Sequence, residues 1–195
     1  MQNGPLGNKN KAKNLNDIEL VQLYLKTQRA DLFSLLYGRY SGKVYSKCIS
    51  LLKDEMMAKD ATQEIFVKIF LNLAKFSERS KFSTWVYSIT YNYCIDFIRR
   101  KKKEKSLFSD EMEKAPDIVE EVADNTILEM EVSRLKVVLE KIPSGDKAIL
   151  LMKYQDEMSI KEISSIIDKS ESAVKMKLKR AKHKVQKVYQ EHFKN

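Results

Sequence analysis

Along most of the chain apolar residues recur at three- and four-residue steps, the period of helices that bury one face. Asn16, followed three residues later by Glu19, has the form of a capping box, and Ile18, Val21, Leu23 and Leu25 predict a short first helix behind it. A longer helix is predicted from about Asp31, with Phe33, Leu36, Tyr37, Tyr40, Val44, Cys48 and Leu52 on its apolar side. Gly38 and Gly42 fall inside it and leave two readings open, an interruption or a close approach of another helix. A third helix runs from about Met57 to Leu73, with Ala61, Ile65, Ile69, Phe70 and Leu73 inward. The fourth begins at Ser83 or Thr84, either a fitting cap, and turns Trp85, Val86, Ile89, Tyr93 and Phe97 inward before it ends in a run of lysines. These four predict a compact helical bundle.

The periodicity then lapses. The stretch SLFSDEMEKAPDIVEEVADN combines weak periodicity, a proline and many acids, the composition of a mobile linker. Helical spacing returns from about Asn125 to Lys141, with Leu128, Leu135, Val138, Leu139 and Ile142 inward, until Pro143, Ser144 and Gly145 stop it. Asp146 to Tyr154 predicts a second, shorter helix. Ser159 with Glu162 forms another capping box and opens a third through Ile160, Ile163, Ile166 and Ile167. Ser170 can cap a last helix whose inward stripe is Val174, Leu178, Ala181, Val185 and Val188. Two helices joined by a four-residue turn, the second strongly basic outside, read as a helix-turn-helix. The fold class predicted is all-α: an N-terminal helical bundle and a C-terminal helix-turn-helix domain joined by an acidic flexible linker. The boundaries expected are a disordered tail over 1–13, domains over 14–105 and 127–192, and the linker over 106–126.

Composition narrows the chemistry. Of 195 residues 43% are hydrophobic, enough for a core, and only five are Gly and three Pro, too few for a protein of many tight turns. No apolar run nears the ~18 residues a membrane span needs, and the polar start has no signal-peptide core, so a cytoplasmic protein without membrane insertion is expected. Cys48 and Cys94 lie in apolar stretches and read as small buried hydrophobes, not a disulfide. The only histidines, His183 and His192, have no Cys, Asp or Glu at ligand spacing, so no metal is expected. Glycines are scattered singly, which leaves no phosphate loop. No catalytic residue, cofactor or small-molecule substrate is expected.

Charge is more telling in blocks than in sum. The 36 Lys and Arg exceed the 27 Asp and Glu by nine. Arg99, Arg100, Lys101, Lys102, Lys103 and Lys105 surround a single acid, Glu104, and eight bases from Lys169 to Lys187 face only Glu171. Between these blocks, nine acids from Asp110 to Glu131 stand against Lys114 alone. Two basic surfaces thus flank an acidic connector, and basic surfaces suit nucleic acid. Within FSTWVYSITYNYCIDFIRRKKKEK, Trp85, Tyr93 and Phe97 have the spacing of core residues. Tyr87, Tyr91 and Asn92 lie off that stripe, and aromatics, an amide and cations together suit unstacked single-stranded DNA.

Three motifs bring a family into view. DATQEIFVKIF, KFSTWVYSITYNYCIDFIRRKKK and EMSIKEISSIIDKSESAVKMKLKRAK, in that order around the acidic segment, resemble the sigma-70 family of bacterial RNA polymerase initiation factors in its extracytoplasmic-function form. The resemblance implies that Asp60, Gln63, Glu64 and Phe66 dock on the clamp helices of the largest subunit of core RNA polymerase, with the flap of the second subunit as a further contact. It implies that Arg79, Ser80 and Lys81, with Trp85, Asn92, Arg99 and Arg100, recognise the minus-10 promoter element. Ser172, Lys175, Met176, Lys177, Lys179 and Arg180 would read the minus-35 element. The acidic connector would enter the RNA path, and an anti-sigma factor is an implied partner.

Two departures stand out. Asp168-Lys169 and Ser172-Ala173 replace the family's Leu-Gly and Gly-Thr, and Lys175 and Lys177 replace arginines, removing the fork that reads guanine with two hydrogen bonds. The rival readings are a free-standing helix-turn-helix regulator, and a basic scaffold on anionic membranes or RNA.

Overall fold

The structure, a computed structural model, describes residues 12–106, 122 and 130–193. Most of the expected tail and linker, and residues 125–129 of the helix expected from Asn125, lie outside the described residues; Met130 and Glu131 are not helical, and that helix begins at Val132 with Glu131 as its N-cap. The chain divides into two compact units, Met1–Cys94 and Ile95–Asn195. Both are helical among the described residues, as the periodicity predicts.

The first unit holds α1 (Asp17–Thr27), α2 (Ala30–Leu52), α3 (Glu55–Asn72) with a 3-10 turn at Leu73–Lys75, and the start of α4 (Phe82–Ser106), which crosses the division. The predicted capping box starts α1: Asn16 Oδ1 accepts from the Glu19 N–H at 3.0 Å, and Glu19 Oε2 from the Asn16 N–H at 2.7 Å. Asp54 caps α3 by accepting from the Met57 N–H at 2.8 Å. With so few glycines, the left-handed positions that end α1 and α2 fall to Gln28 (φ 52°) and Lys53 (φ 60°), whose N–H groups bond back to Tyr24 and Ile49.

Gly38 and Gly42 neither interrupt α2 nor admit another helix. A side-chain carbon at either would meet nothing within 4 Å. The helix stays continuous because the core under it is made by the opposite side, through Leu32, Leu36, Tyr40, Val44, Cys48 and Leu51.

Leu20, Val21, Ile65, Ile69, Leu73, Val86 and Tyr91 complete this core. Cys94 Sγ lies 3.8 Å from Cys48 Sγ, both buried and reduced. The hydrogen bond to Cys48 and burial push the Cys94 thiol up, while the same hydrogen bond draws the Cys48 thiol down. Thr62 and Thr90, also buried, donate to the carbonyls of Ala58 and Val86. Arg39 and Tyr40 clasp the entry to α1. Arg39 donates to Asp17 at 2.7 Å and to the carbonyls of Lys13 and Leu15, and the Tyr40 hydroxyl donates to the other Asp17 oxygen.

In the second unit α5 (Val132–Lys141) is followed after Pro143 by α6 (Ser144–Leu150), which unwinds into one wide turn over Leu151–Gln155. Then come α7 (Ile160–Ile167) and α8 (Glu171–Phe193). Ser159 and Glu162 form the expected box, and Ser170 Oγ accepts from the Ala173 N–H at 3.2 Å. Three residues, not four, separate α7 from α8, and Asp168 takes the left-handed position (φ 51°) that ends α7. Val138, Ile142, Ile149, Met152, Ile163, Val174, Leu178, Ala181 and Val185 form the core. The buried Lys147 ammonium reaches Glu140 at 2.5 Å, and Lys184 bridges to Asp146 at 2.7 Å, tying α6 to α5 and α8.

Candidate nucleic-acid and partner interfaces

Arg79, Ser80 and Lys81 lie on the segment between the 3-10 turn and α4, with Arg79 and Lys81 exposed. Rings hold both ends of this segment. Phe76 and Phe82 are buried with centroids 5.3 Å apart, Trp85 stacks on both at 5.5 and 5.6 Å, and Tyr40 closes on Phe82 at 5.4 Å. That cluster explains why α4 begins at Phe82 and not at the expected Ser83 or Thr84. Burial of Phe82 draws the helix back, and the Lys81 carbonyl accepts from the Trp85 N–H at 3.2 Å. Between the anchors Glu78 adopts φ 57° and accepts from Gln22 of α1 at 2.8 Å.

Further along α4 Asn92 is exposed. Tyr91 is not a stacking platform: it is among the largest fully buried side chains. Tyr87 is half-buried beneath Lys47, whose ammonium lies 4.4 Å from the ring centre. Arg99 and Arg100 are exposed beyond the division of the chain, Arg99 in a loose 3.6 Å pair with Asp96.

The second candidate surface is the outer side of α3, where Asp60, Gln63 and Glu64 are all exposed. Phe66 does not join them. It is 6% exposed and packs on Tyr37 with centroids 4.5 Å apart, because its position turns it toward α2. The apolar groups on the outer face are instead Met56, Val67 (53% exposed), Phe70 (49%) and Leu71 (69%). Phe70, expected inward, lies at the edge of the core against Phe33 and Tyr24. The signal for this face was present in the sequence. Residues 56, 60, 63, 67 and 71 are spaced by three or four and so share one helix stripe.

On α8 the inward stripe is as predicted, except that Val188 is half-buried. Ser172, Lys175, Met176 and Arg180 are exposed on the opposite side, and Lys179 is half-buried beside them. Lys177 stands apart. Its ammonium lies 3.5 Å from where a side-chain carbon of Gly145 would be, turned toward the start of α6.

A helical bundle presenting an amide and cations, followed by a helix-turn-helix with a basic outer face, defines a bipartite DNA-reading protein. Residues 36–104 match the family model for sigma-70 region 2, and residues 133–185 the model for sigma-70 region 4. Together these matches span more than half the chain, which belongs to the sigma-70 family of RNA polymerase sigma factors in its extracytoplasmic-function form. Its function is that of an RNA polymerase sigma factor.

Among named relatives, it is 28% identical over 165 residues to the ECF RNA polymerase sigma factor SigW of Bacillus subtilis, covering 80% of this chain and 88% of SigW. It is 26% identical over 155 residues to SigM of the same organism, covering 79% and 93%. Two solved structures share its fold. One is CnrH, in complex with the cytosolic domain of CnrY, with TM-score 0.61 and 20% identity over 90% of this chain and 98% of CnrH. The other is the sigma factor RpoE of Bartonella quintana, in complex with the anti-sigma factor NepR, with TM-score 0.58 and 15% identity over 80% and 95%. Among the described residues no helix is long and apolar enough to cross a membrane.

Proposed function

We propose that this sigma factor docks on the clamp helices of the largest subunit of core polymerase through the outer face of α3. Asp60, Gln63 and Glu64 supply the polar contacts, and Val67 and Leu71 the apolar anchor first expected of Phe66. The segment Arg79–Lys81 and α4, through Asn92 with Arg99 and Arg100, engage the minus-10 element and hold its melted strand. Trp85 serves this surface by fixing the segment before α4. Ser172, Lys175, Met176, Lys179 and Arg180 face the minus-35 element from α8, with Lys177 at their flank, and the second unit rests on the flap of the second subunit. The chain acts in the cytoplasm, and it contributes recognition and affinity for melted DNA while the polymerase performs the chemistry.

One observation carries the reading against a free-standing regulator. The exposed apolar residues of α3 alternate with acids and an amide on one side of the helix, which is the composition of a protein interface and has no use in DNA binding. The two solved relatives are each held by a protein partner. An anti-sigma factor that covers these surfaces until a signal removes it is part of the proposal. The test is capture of purified core polymerase by the tagged chain. Asp60→Lys and Leu71→Glu are expected to lose it, whereas retention by both variants, with the fold intact, would contradict the docking face.

A further inference from the structure

The outer face of α8 is cationic at Lys175, Lys179 and Arg180, yet Met176 lies among them with 48% of its surface exposed. The core of the unit takes nothing from it, since Val174, Leu178, Ala181 and Val185 fill the opposite side of the helix. A methionine in the middle of a groove-reading face has no hydrogen bond to offer a phosphate or a polar base edge. The one apolar feature of the DNA major groove is the C5-methyl group of thymine. The thioether, unbranched and deformable, fits such a contact without demanding one orientation.

We infer that Met176 is a specificity residue that reads the methyl group of a thymine in the minus-35 element. This rests on the reading of α8 as the minus-35 helix and adds to it the base and the atom recognised. Arg180, the one arginine on α8, follows Met176 by four residues, about 6 Å along the axis at 1.5 Å per residue. With base pairs 3.4 Å apart, that spacing sets the methyl contact about two base pairs from whatever Arg180 reads. An arginine there favours guanine. Lysines at 175 and 179 hold phosphates and add affinity with little choice of base.

The chemistry allows a test that removes one methyl group and nothing else. Holoenzyme assembled from the full chain and core polymerase is used to select a promoter from a random library. Each thymine of its upstream element is then replaced in turn by deoxyuridine, and affinity is measured by competition. At one position uridine is expected to weaken binding about fourfold, the worth of one methyl group withdrawn from water. With Met176→Ala or Met176→Gln the two bases should bind alike there, and with Met176→Leu the preference for thymine should persist. A scan with no methyl-sensitive position, or a sensitivity undiminished in Met176→Ala, overturns the assignment while leaving α8 as the minus-35 reader. Holoenzyme that forms but shows no upstream preference at all overturns both.

Discussion

The Tyr40 hydroxyl shows how one residue couples sequence to stability. It is buried and donates to Asp17, which Arg39 also holds, so the segment leading into α1 is fastened to the middle of α2. Burial first, and then the neighbouring carboxylate, push its ionisation far above the ordinary value of 10.0. Below pH 10 the phenol is neutral in both folded and unfolded chains, and its contribution is fully present. Above pH 10 the unfolded chain releases the proton, the folded chain keeps it, and stability falls. Tyr40→Phe should cost about 1.5–3 kcal/mol at pH 7, the range for a hydrogen bond to a charged group. The gap from wild type should narrow as pH rises past 10, as urea denaturation across pH would measure. A second expectation concerns the thiols. Cys48 and Cys94 are both fully buried, so neither should react with an alkylating reagent at pH 8 until the chain is unfolded.

At the scale of the element, the helices were legible where local chemistry decides them. Asn16 with Glu19 and Ser159 with Glu162 are contiguous signals, and both boxes form as read. Less legible were features settled by a neighbouring helix. Phe66 and Phe70 are equally apolar, but one turns toward Tyr37 and is buried while the other reaches solvent. The start of α4 moved for the same reason, because Phe76 and Tyr40 wait for the Phe82 ring. The left-handed ends at Gln28, Lys53 and Asp168 lack the glycine that usually announces them.

These distinctions separate two classes of variant on α3. Phe66→Ala should destabilise the first unit by about 3 kcal/mol, as loss of a packed aromatic does. Leu71→Glu should leave stability within about 0.5 kcal/mol, being exposed, and reduce core-polymerase affinity by about tenfold or more, as loss of an interface anchor does. Calorimetry and a binding titration would distinguish the two.

For the whole molecule, a net charge of +9 is a poor summary. It averages over basic stretches at the end of α4 and along α8, the acids between them that offset much of their charge, and an excess of bases in the first unit; the two stretches lie where the proposed function puts DNA. Promoter affinity should therefore follow the local blocks: Lys175→Ala is expected to lower the salt slope by about one counterion, with little change in sequence preference. The division into two units, each with a core of its own, suits a protein that must grip two promoter elements and a polymerase at once.

The most direct test of that account is run-off transcription with purified core polymerase on a library-selected promoter. Core with the chain should start at one defined position, core alone should not, and Asn92→Ala should lower the yield more on a closed duplex than on a template already melted at minus 10. If the chain binds such a promoter tightly without polymerase and adds no initiation to core, it acts as a free-standing regulator and the account is wrong.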